Sequence, residues 1–264
     1  MSVDLIHPGP LGIAVAALLG AIIGSFLNVC ILRWGAEPKE SIVRPPSHCP
    51  RCRRGLAWYE NIPVVSWLLL RARCRGCGEP ISVMYPLIEL ATAGIWAYMA
   101  WRHGLTIEAI RGAVFGTILL GIAMTDARQY IIPDEFSWGG LAIGLLLSLA
   151  GGLPGLATAL IGAAVGFGLL WLVGTVGTWV LKEDAMGGGD IKMMAMVGAF
   201  VGWQGVLLTI FLGALVGSLV FVPLLLAGKK KLVPFGIFLS IGAAITYEAG
   251  PAIFAWYAQF LTGA

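Results

Sequence analysis

The sequence predicts an all-α polytopic membrane protein with about eight transmembrane helices and a small zinc-stapled cytoplasmic subdomain between helices 1 and 2. Hydrophobic residues make up 58% of the 264 residues and charged residues only 12%, a balance typical of proteins whose solvent is the bilayer. Nine of the seventeen Lys and Arg residues lie between the first two apolar segments. The same stretch carries two CxxC pairs, the pattern of a metal-bound subdomain.

The predicted spans follow from the thickness of the hydrocarbon core, which is about 30 Å and needs about 20 apolar residues per helix. The sixth predicted span is short and is bounded by GGGD and by Gly202, so we expect a broken or partly inserted helix enclosed by protein. The segment before the first span carries no Lys or Arg, which favours a retained helix over a signal peptide. The eight spans cover residues 10–32, 84–101, 106–125, 136–150, 155–181, 191–201, 204–227 and 234–261. Pairs of glycines with GxxxG spacing predict close helix packing, at positions 20 and 24, 112 and 116, 140 and 144, 162 and 166, and 213 and 217.

The distribution of basic residues predicts the orientation. Starting outside, the inner loops and their edges hold fifteen of the seventeen Lys and Arg residues and leave only Arg102 and Arg111 outside. Both termini are therefore expected on the outer face of the membrane. The predicted inner loops are 33–83, 126–135, 182–190 and 228–233, the last with Lys229, Lys230 and Lys231. The chain divides into a first helix (1–32), a cytoplasmic zinc-binding subdomain (33–83) and a seven-helix membrane domain (84–264).

Four cysteines read CPRC and CRGC in the first inner loop: Cys49, Cys52, Cys74 and Cys77. Thiols stay reduced in the cytoplasm, so a metal is favoured over disulfides. Four thiolates suit tetrahedral zinc, and zinc binding can fold a small subdomain with little apolar core. Because the protein supplies all four ligands, the zinc is expected to be structural. The fifth cysteine, Cys30, lies in an apolar run and is interpreted as a packing residue.

Two aspartates lie at the predicted inner edge of the membrane. Asp126 ends the third span in GIAMTDARQYIIPDEF, and Asp190 opens the sixth in EDAMGGGDIK. An isolated aspartate at a span edge is most often a snorkelling residue. As a pair at one depth they predict a dyad, since two close carboxylates in a poorly solvated site share a proton and can activate water against a peptide bond.

The residues around Asp190 are interpreted as support for the dyad. Gly187, Gly188 and Gly189 let a substrate backbone approach and permit strained backbone angles, although a flexible helix-breaking loop is the plainer alternative. Lys192 either tunes the dyad or binds a substrate carboxylate, or it extends to the interface. The competing acids Asp134, Glu135, Glu183 and Asp184 lie in polar loops, and Asp134 is expected to cap the fourth span.

Several segments together resemble the bacterial type IV prepilin leader peptidase and N-methyltransferase family. They occur in the expected order between residues 24 and 192, and the family's two catalytic aspartates fall on Asp126 and Asp190. Some segments differ from the family's usual sequence, such as RWGAEP after the first span, but these differences include neither the cysteines nor the aspartates. The segments are GSFLNVCILR, CPRC, YENIPVVSWLLL, CRGCGEPISVMYPLIEL, DARQYIIPDEF and MGGGDIK.

The resemblance implies an intramembrane aspartyl protease of the GxGD type. It would cut the short basic leader of type IV prepilins and pseudopilins, the substrates of pilus and type II secretion machines, at the cytoplasmic membrane face. It would then methylate the new N-terminal amine with S-adenosylmethionine. The sequence has no GxGxxG after a strand, so the methyltransferase activity rests on family likeness. Asn28, Glu60 and Glu89 are candidate cofactor or substrate contacts, and structural roles such as satisfying helix ends or pairing with arginines are the alternative. Membrane lipid is an expected partner, and nucleic acid is not.

Two other functions fit parts of the pattern. A transporter also combines intramembrane carboxylates with broken helices, but it needs polar residues at the middle of the membrane, whereas both aspartates are predicted at the inner edge. A non-catalytic assembly factor of a pilus or secretion machine would not need the acid pair. Retained function of Asp190→Asn would favour that second alternative.

Overall fold

The structure is a computed structural model that describes residues 8–36, 38–226 and 234–262. Within these residues it is all-helical and has no strand. Two isolated bridges, His48 with Gly55 and Arg73 with Pro80, close the hairpins that carry the CxxC pairs. The helices are α1 (Pro10–Trp34), α2 (Val65–Leu69), α3 (Met84–His103), α4 (Ile107–Gln129), α5 (Asp134–Ser148), α6 (Gly152–Leu181), α7 (Gly188–Leu226) and α8 (Phe235–Thr262).

Five helical stretches are long and apolar enough to cross a membrane, as expected of a polytopic membrane protein. They are Pro10–Trp34, Ile107–Gln129, Asp134–Leu181, Gly188–Leu226 and Phe235–Thr262. The composition explains them, because runs of Leu, Ile, Val and Ala cover whole helices rather than one face. The predicted inner loop 228–233, with Lys229, Lys230 and Lys231, and the first seven residues and last two lie outside the described residues.

The predicted count of eight helices is not confirmed. Among the described residues there are seven long helices, because the predicted sixth and seventh spans lie within α7. That helix is interrupted at Gly202, whose φ of 71° and ψ of 176° are not helical. A residue with a Cβ would be strained at this φ, so glycine permits the helix to break here. The apolar residues on either side do not indicate a break. The interruption lies at the glycine that bounds the short predicted sixth span.

The chain divides into two units, residues 1–117 and 118–264, with the boundary inside α4. In the first unit α1 packs on α3 through the predicted GxxxG pair. A Cβ on Gly24 would lie 2.8 Å from Glu89 Cα, and one on Gly20 would lie 2.9 Å from Ala93 Cα. The missing side chains allow the two backbones to approach closely, which is the role predicted for such pairs. Gly20 of α1 therefore lies beside Ala93 of α3, and Gly24 lies beside Glu89.

In the second unit α7 is the central helix and packs against α5, α6 and α8. Its first half is almost wholly buried from Met193 to Phe200. Gly162 of α6 meets Gly198 of α7 backbone to backbone, and Gly140 of α5 accommodates Met196. The predicted packing role of these glycines is therefore confirmed. This arrangement holds the N-terminal end of α7, with Asp190, in a fixed place within the unit.

Candidate functional site: a carboxylate pair and a four-cysteine cluster

Asp126 and Asp190 come together in the second unit although 64 positions separate them in the sequence. Asp126 lies in the last turn of α4 and is only 5% exposed. Asp190 is the third residue of α7 and is half-buried. Both acids border Ile132, because a Cβ on Gly236 would touch Asp126 Oδ2 and Ile132 Cδ1, and a Cβ on Gly189, the neighbour of Asp190, would lie 2.9 Å from Ile132 Cβ. The structure thus brings the two predicted acids into one site, called here the carboxylate site.

The beginning of α8 forms one wall of the carboxylate site, a contact that no motif in the sequence predicted. The backbone N–H of Ile237 donates to Asp126 Oδ2 at 3.1 Å. A Cβ on Gly236 would lie 2.8 Å from the same oxygen and 2.8 Å from Ile132 Cδ1. Glycine is therefore the residue that lets the start of α8 reach this carboxylate. The segment PFGIF shows a glycine in the first turn of a helix, but it does not show which side chain that glycine contacts.

Asp190 is held differently from Asp126. Its backbone N–H donates to Gly187 O at 3.2 Å, which closes the first turn of α7. In the part of the chain that the structure describes, its Oδ1 is buried and has no hydrogen-bond partner. A buried polar oxygen without a partner is costly unless it is used by something else, such as water or a substrate. The orphaned oxygen makes Asp190 the more available of the two acids.

The three glycines before Asp190 have separate surroundings. A Cβ on Gly187 would lie 3.0 Å from Asp190 Oδ2, and one on Gly189 would lie 2.9 Å from Ile132 Cβ, whereas Gly188 has open space. The positive-φ glycines of the described residues are Gly78, Gly104, Gly152 and Gly202. Gly187, Gly188 and Gly189 are not among them, so the strained backbone angles that glycine permits are not used there. Close approach, not backbone strain, is what requires glycine at 187 and 189.

Lys192 forms an ion pair with Asp134. Its Nζ lies 2.8 Å from Oδ1 and 3.0 Å from Oδ2. The expectation that Asp134 caps α5 was wrong, because Pro133 occupies the N-cap and Asp134 is the first helical residue, with its carboxylate directed to Lys192. Glu183 and Asp184 remain exposed loop residues, as expected. The pair joins the start of α5 to α7 two residues beyond Asp190.

The four cysteines form a second site, in the first unit. The sulfur atoms of Cys49, Cys52, Cys74 and Cys77 all lie within 4.8 Å of one another. Tetrahedral Zn–S bonds of about 2.3 Å require sulfurs about 3.8 Å apart, and the Cys49–Cys77 and Cys52–Cys74 separations are 3.9 and 4.0 Å. Hydrogen bonds from the backbone N–H groups of Cys77 and Gly76 lower the pKa of Cys74 to about 6, which favours the thiolate that metals bind. These thiols fit a metal site.

Three further candidates, Asn28, Glu60 and Glu89, are buried and bonded within the first unit. Asn28 Nδ2 donates to Gly24 O at 3.2 Å and to Tyr85 O at 3.1 Å. Glu89 Oε2 accepts the backbone N–H of Val64 at 2.7 Å. These bonds join α1 to α3 and fix the loop around Val64, which gives both residues a structural task.

Glu60 accepts a hydrogen bond from Arg54 Nη2 at 2.6 Å and one from the backbone N–H of Ala57 at 2.9 Å. The Arg54 guanidinium lowers the pKa of this carboxyl group. Arg54 and Glu60 thus connect the first cysteine hairpin to the loop that precedes α2. Cys30 is 2% exposed in α1, as the packing interpretation requires.

Comparisons with known proteins agree with this geometry. Residues 18–103 match a family model described as "Bacterial Peptidase A24 N-terminal domain", and residues 113–222 match one described as "Type IV leader peptidase family". The first match contains the four-cysteine cluster, and the second contains both aspartates. No solved structure matches.

Curated relatives carry the name "Prepilin leader peptidase/N-methyltransferase". The protein of Myxococcus xanthus is 43% identical over 219 residues, which are 83% of this chain and 65% of that protein. The Neisseria gonorrhoeae protein is 32% identical over 272 residues, 95% of each chain. The Pseudomonas aeruginosa protein is 36% identical over 282 residues, 97% of each chain. This chain belongs to the type IV leader peptidase family.

Proposed function

We propose that this protein cleaves the leader of type IV prepilins and pseudopilins at the cytoplasmic membrane face and then methylates the new N-terminal amine. The observation that carries the proposal is the meeting of Asp126 and Asp190 in one buried site at helix ends. The names of the relatives support both activities. The catalytic residues, the cofactors and the topology below belong to the same proposal.

Hydrolysis uses the two carboxyl groups as an acid and a base. Two carboxyl groups at short range hold one proton between them, so one can accept a proton from water while the other donates to the scissile carbonyl oxygen. The water oxygen attacks the carbonyl carbon, the C–N bond of the intermediate breaks, and the leaving amine takes up a proton. Ile237 N–H holds Asp126 in place, and the orphaned Oδ1 of Asp190 is free to meet water or substrate.

The substrate approaches along the open backbone of the glycine run. Gly188 has no atom within 4 Å of its Cβ position, which leaves room for an extended peptide next to Asp190. Lys192 supports the dyad indirectly, because its bond to Asp134 fixes the first turns of α7 against α5. These roles assign Gly187, Gly188, Gly189 and Lys192 to positioning, and only the two aspartates to the chemistry.

Zinc is the proposed occupant of the four-cysteine cluster, as a structural ion with no position open for water. It would hold the two hairpins together in a region with few buried apolar side chains. Structural zinc contributes folding free energy directly, so its removal would unfold the hairpins rather than change the peptidase chemistry.

S-adenosylmethionine is the proposed methyl donor, and it would supply an electrophilic methyl group to the neutral pilin amine. Asn28, Glu60 and Glu89 are the proposed contacts, since the carboxylates of Glu60 and Glu89 suit a positively charged sulfonium and the Asn28 amide offers hydrogen bonds. Each already has protein partners, so a variant that loses methylation must be shown to retain its metal and fold. Cleavage has to precede methylation because an uncleaved peptide nitrogen is a poor nucleophile.

The proposed topology has eight spans, with α7 counted as two segments around Gly202. It places both termini outside and the cysteine subdomain (33–83) inside, with residues 1–32 as the first helix and 84–264 as a seven-span membrane domain. The surplus of Lys and Arg in the inner loops supports this orientation.

Co-expression with a prepilin, followed by intact mass measurement of the pilin, tests both activities in one sample. Loss of the leader and addition of a methyl group are separate mass changes. Asp126→Asn and Asp190→Asn should each abolish cleavage, while Asp184→Asn, an exposed carboxylate of the same loop region, should leave it intact. Wild-type processing by either dyad variant would contradict the assignment and favour a non-catalytic assembly factor.

The order of the two reactions is tested with pilin that is supplied already cleaved. Asp190→Asn should fail to methylate full-length prepilin and should methylate the pre-cleaved pilin in the presence of S-adenosylmethionine. Equal loss on both substrates, in a variant that retains its metal, would mean that one site performs both reactions.

A further inference from the structure

The loop between the cysteine hairpins has an apolar edge that no contact within the described residues covers. Trp58 is 80% exposed, Leu68 61% and Leu69 78%. The short helix α2 begins at Val65, and Trp58 opens a separate 3-10 turn before it. Within α2, helical spacing places Val65, Leu68 and Leu69 on one face, and the exposed side chains of Trp58 and Ile62 precede them in the loop. The apolar edge consists of Trp58, Ile62, Val65, Leu68 and Leu69.

The depth of this edge in the membrane follows from its connection to α3. Val64, immediately before α2, donates its backbone N–H to Glu89. Glu89 in turn is level with Gly24 of α1, since a Cβ on Gly24 would touch Glu89 Cα. Gly24 is ten residues from the end of α1 at Trp34, which is about 15 Å of helix axis. Val64 therefore lies well below the cytoplasmic end of α1.

The length of α1 sets how much of it can leave the hydrocarbon core. A helix of 25 residues is about 37 Å long, so it exceeds a core of about 30 Å by only about 7 Å. A residue about 15 Å from the end of α1 is thus at hydrocarbon depth. On the same turns of α3 as Glu89, Leu87 and Leu90 are about half exposed, as side chains that face lipid are. The apolar edge continues this lipid-facing surface.

Basic residues follow the apolar edge directly. Arg71 and Arg73 are exposed, and both lie within four residues of Leu69. Trp67 Nε1 donates to Ile81 O, and Ile81 N donates to Ala72 O, so these arginines are tied to the segment that enters α3. An apolar surface bordered by arginines is the pattern of a segment that inserts into the interface and binds anionic headgroups.

We propose that the apolar edge inserts into the cytoplasmic leaflet and that Arg71 and Arg73 bind anionic phospholipid headgroups beside it. The four-cysteine subdomain is then a membrane-seated module, not a domain free in the cytoplasm. Its anchor is independent of the aspartates and of the proposed reactions. The surface and its lipid partner are distinct from the carboxylate site, which lies in the other unit of the chain.

Photo-crosslinking tests the proposal in the full-length, metal-bound protein. A benzophenone amino acid replaces Leu69 in one variant and Glu79, an exposed polar residue of the second cysteine hairpin, in the control. Both are reconstituted in vesicles of equal parts phosphatidylcholine and phosphatidylglycerol and irradiated. The mass of each intact protein is then measured by mass spectrometry. Phospholipid adducts at 69 and none at 79 are expected. No lipid adduct at 69, or equal adducts at both positions, would overturn the insertion.

Two further arms identify the partner. Phosphatidylglycerol should be over-represented in the adducts at 69, and Arg71→Gln with Arg73→Gln should reduce its share to that of the vesicle. An unchanged share would overturn the headgroup contact. Irradiation in the presence of a prepilin should still give lipid adducts. A pilin adduct in their place would show that the edge is a substrate surface instead.

Discussion

Lys192 Nζ lies 2.8 Å from Asp134 Oδ1, and this ion pair joins the start of α5 to α7 two residues beyond Asp190. Both side chains are partly exposed, so the pair contributes only about 0.2–1 kcal/mol to stability. Its main effect is geometric, because it fixes the turn that carries a catalytic residue of the proposed dyad. The two residues are charged neighbours of the carboxylate site but take no part in its proton transfer.

Removal of either partner should lower the rate of cleavage about two- to fivefold. This factor corresponds to the free energy of a partly exposed ion pair, if that free energy is lost from the transition state. Lys192→Gln and Asp134→Asn are expected to reduce kcat with little change in KM, and the double variant should be no worse than either single one. Steady-state cleavage of a prepilin measures this. Restored activity in the exchanged pair Asp134→Lys with Lys192→Asp would support the pairing, and additive losses would contradict it.

Gly236→Ala should reduce cleavage about 10- to 100-fold, because its Cβ would displace Asp126 Oδ2 and a misplacement of about 1 Å is costly in catalysis. Gly168→Ala is the matched control, since its Cβ position on α6 has open space. The control should be fully active and slightly more stable, because alanine is favoured over glycine within helices. Thermal unfolding of both variants separates the effect on the site from loss of fold. Equal activity in the two variants would argue against the role of Gly236.

Metal analysis of the purified protein should find about one zinc per chain, from the four thiolates of the cluster. Cys49→Ser or Cys74→Ser should lower the zinc content and destabilise the hairpins. Cys30→Ala is the matched control and should retain full zinc, because Cys30 is buried in α1 rather than in the cluster. Full zinc in a double variant of the cluster cysteines is the result that excludes this site.

Reporter fusions test the topology. Fusions after residues 103, 152 and 264 should report outside, and those after 78, 186 and 231 should report inside, because the basic loops stay in the cytoplasm. A C terminus found inside would require one span to be redrawn, most directly the part of α7 before Gly202. It would also remove Asp126 and Asp190 from a common membrane face in the proposed topology.

The sequence by itself determined the membrane class and the cysteine cluster, and it predicted the two acids of the proposed dyad. Apolar composition over whole helices needs no tertiary information, and CxxC spacing brings each pair of thiols together locally. The glycine pairs on α1, α5 and α6 likewise indicated where helices would touch. These features depend on residues close together in the chain, so local pattern was sufficient.

Only the tertiary structure decided how the carboxylate site is built. Asp126 depends on Gly236 and Ile237, more than a hundred positions away, and Asp134 turned from an expected cap into the partner of Lys192. Such contacts arise from the packing of α4, α5, α7 and α8 against one another. Which distant residues meet is set by that packing, and no local periodicity records it.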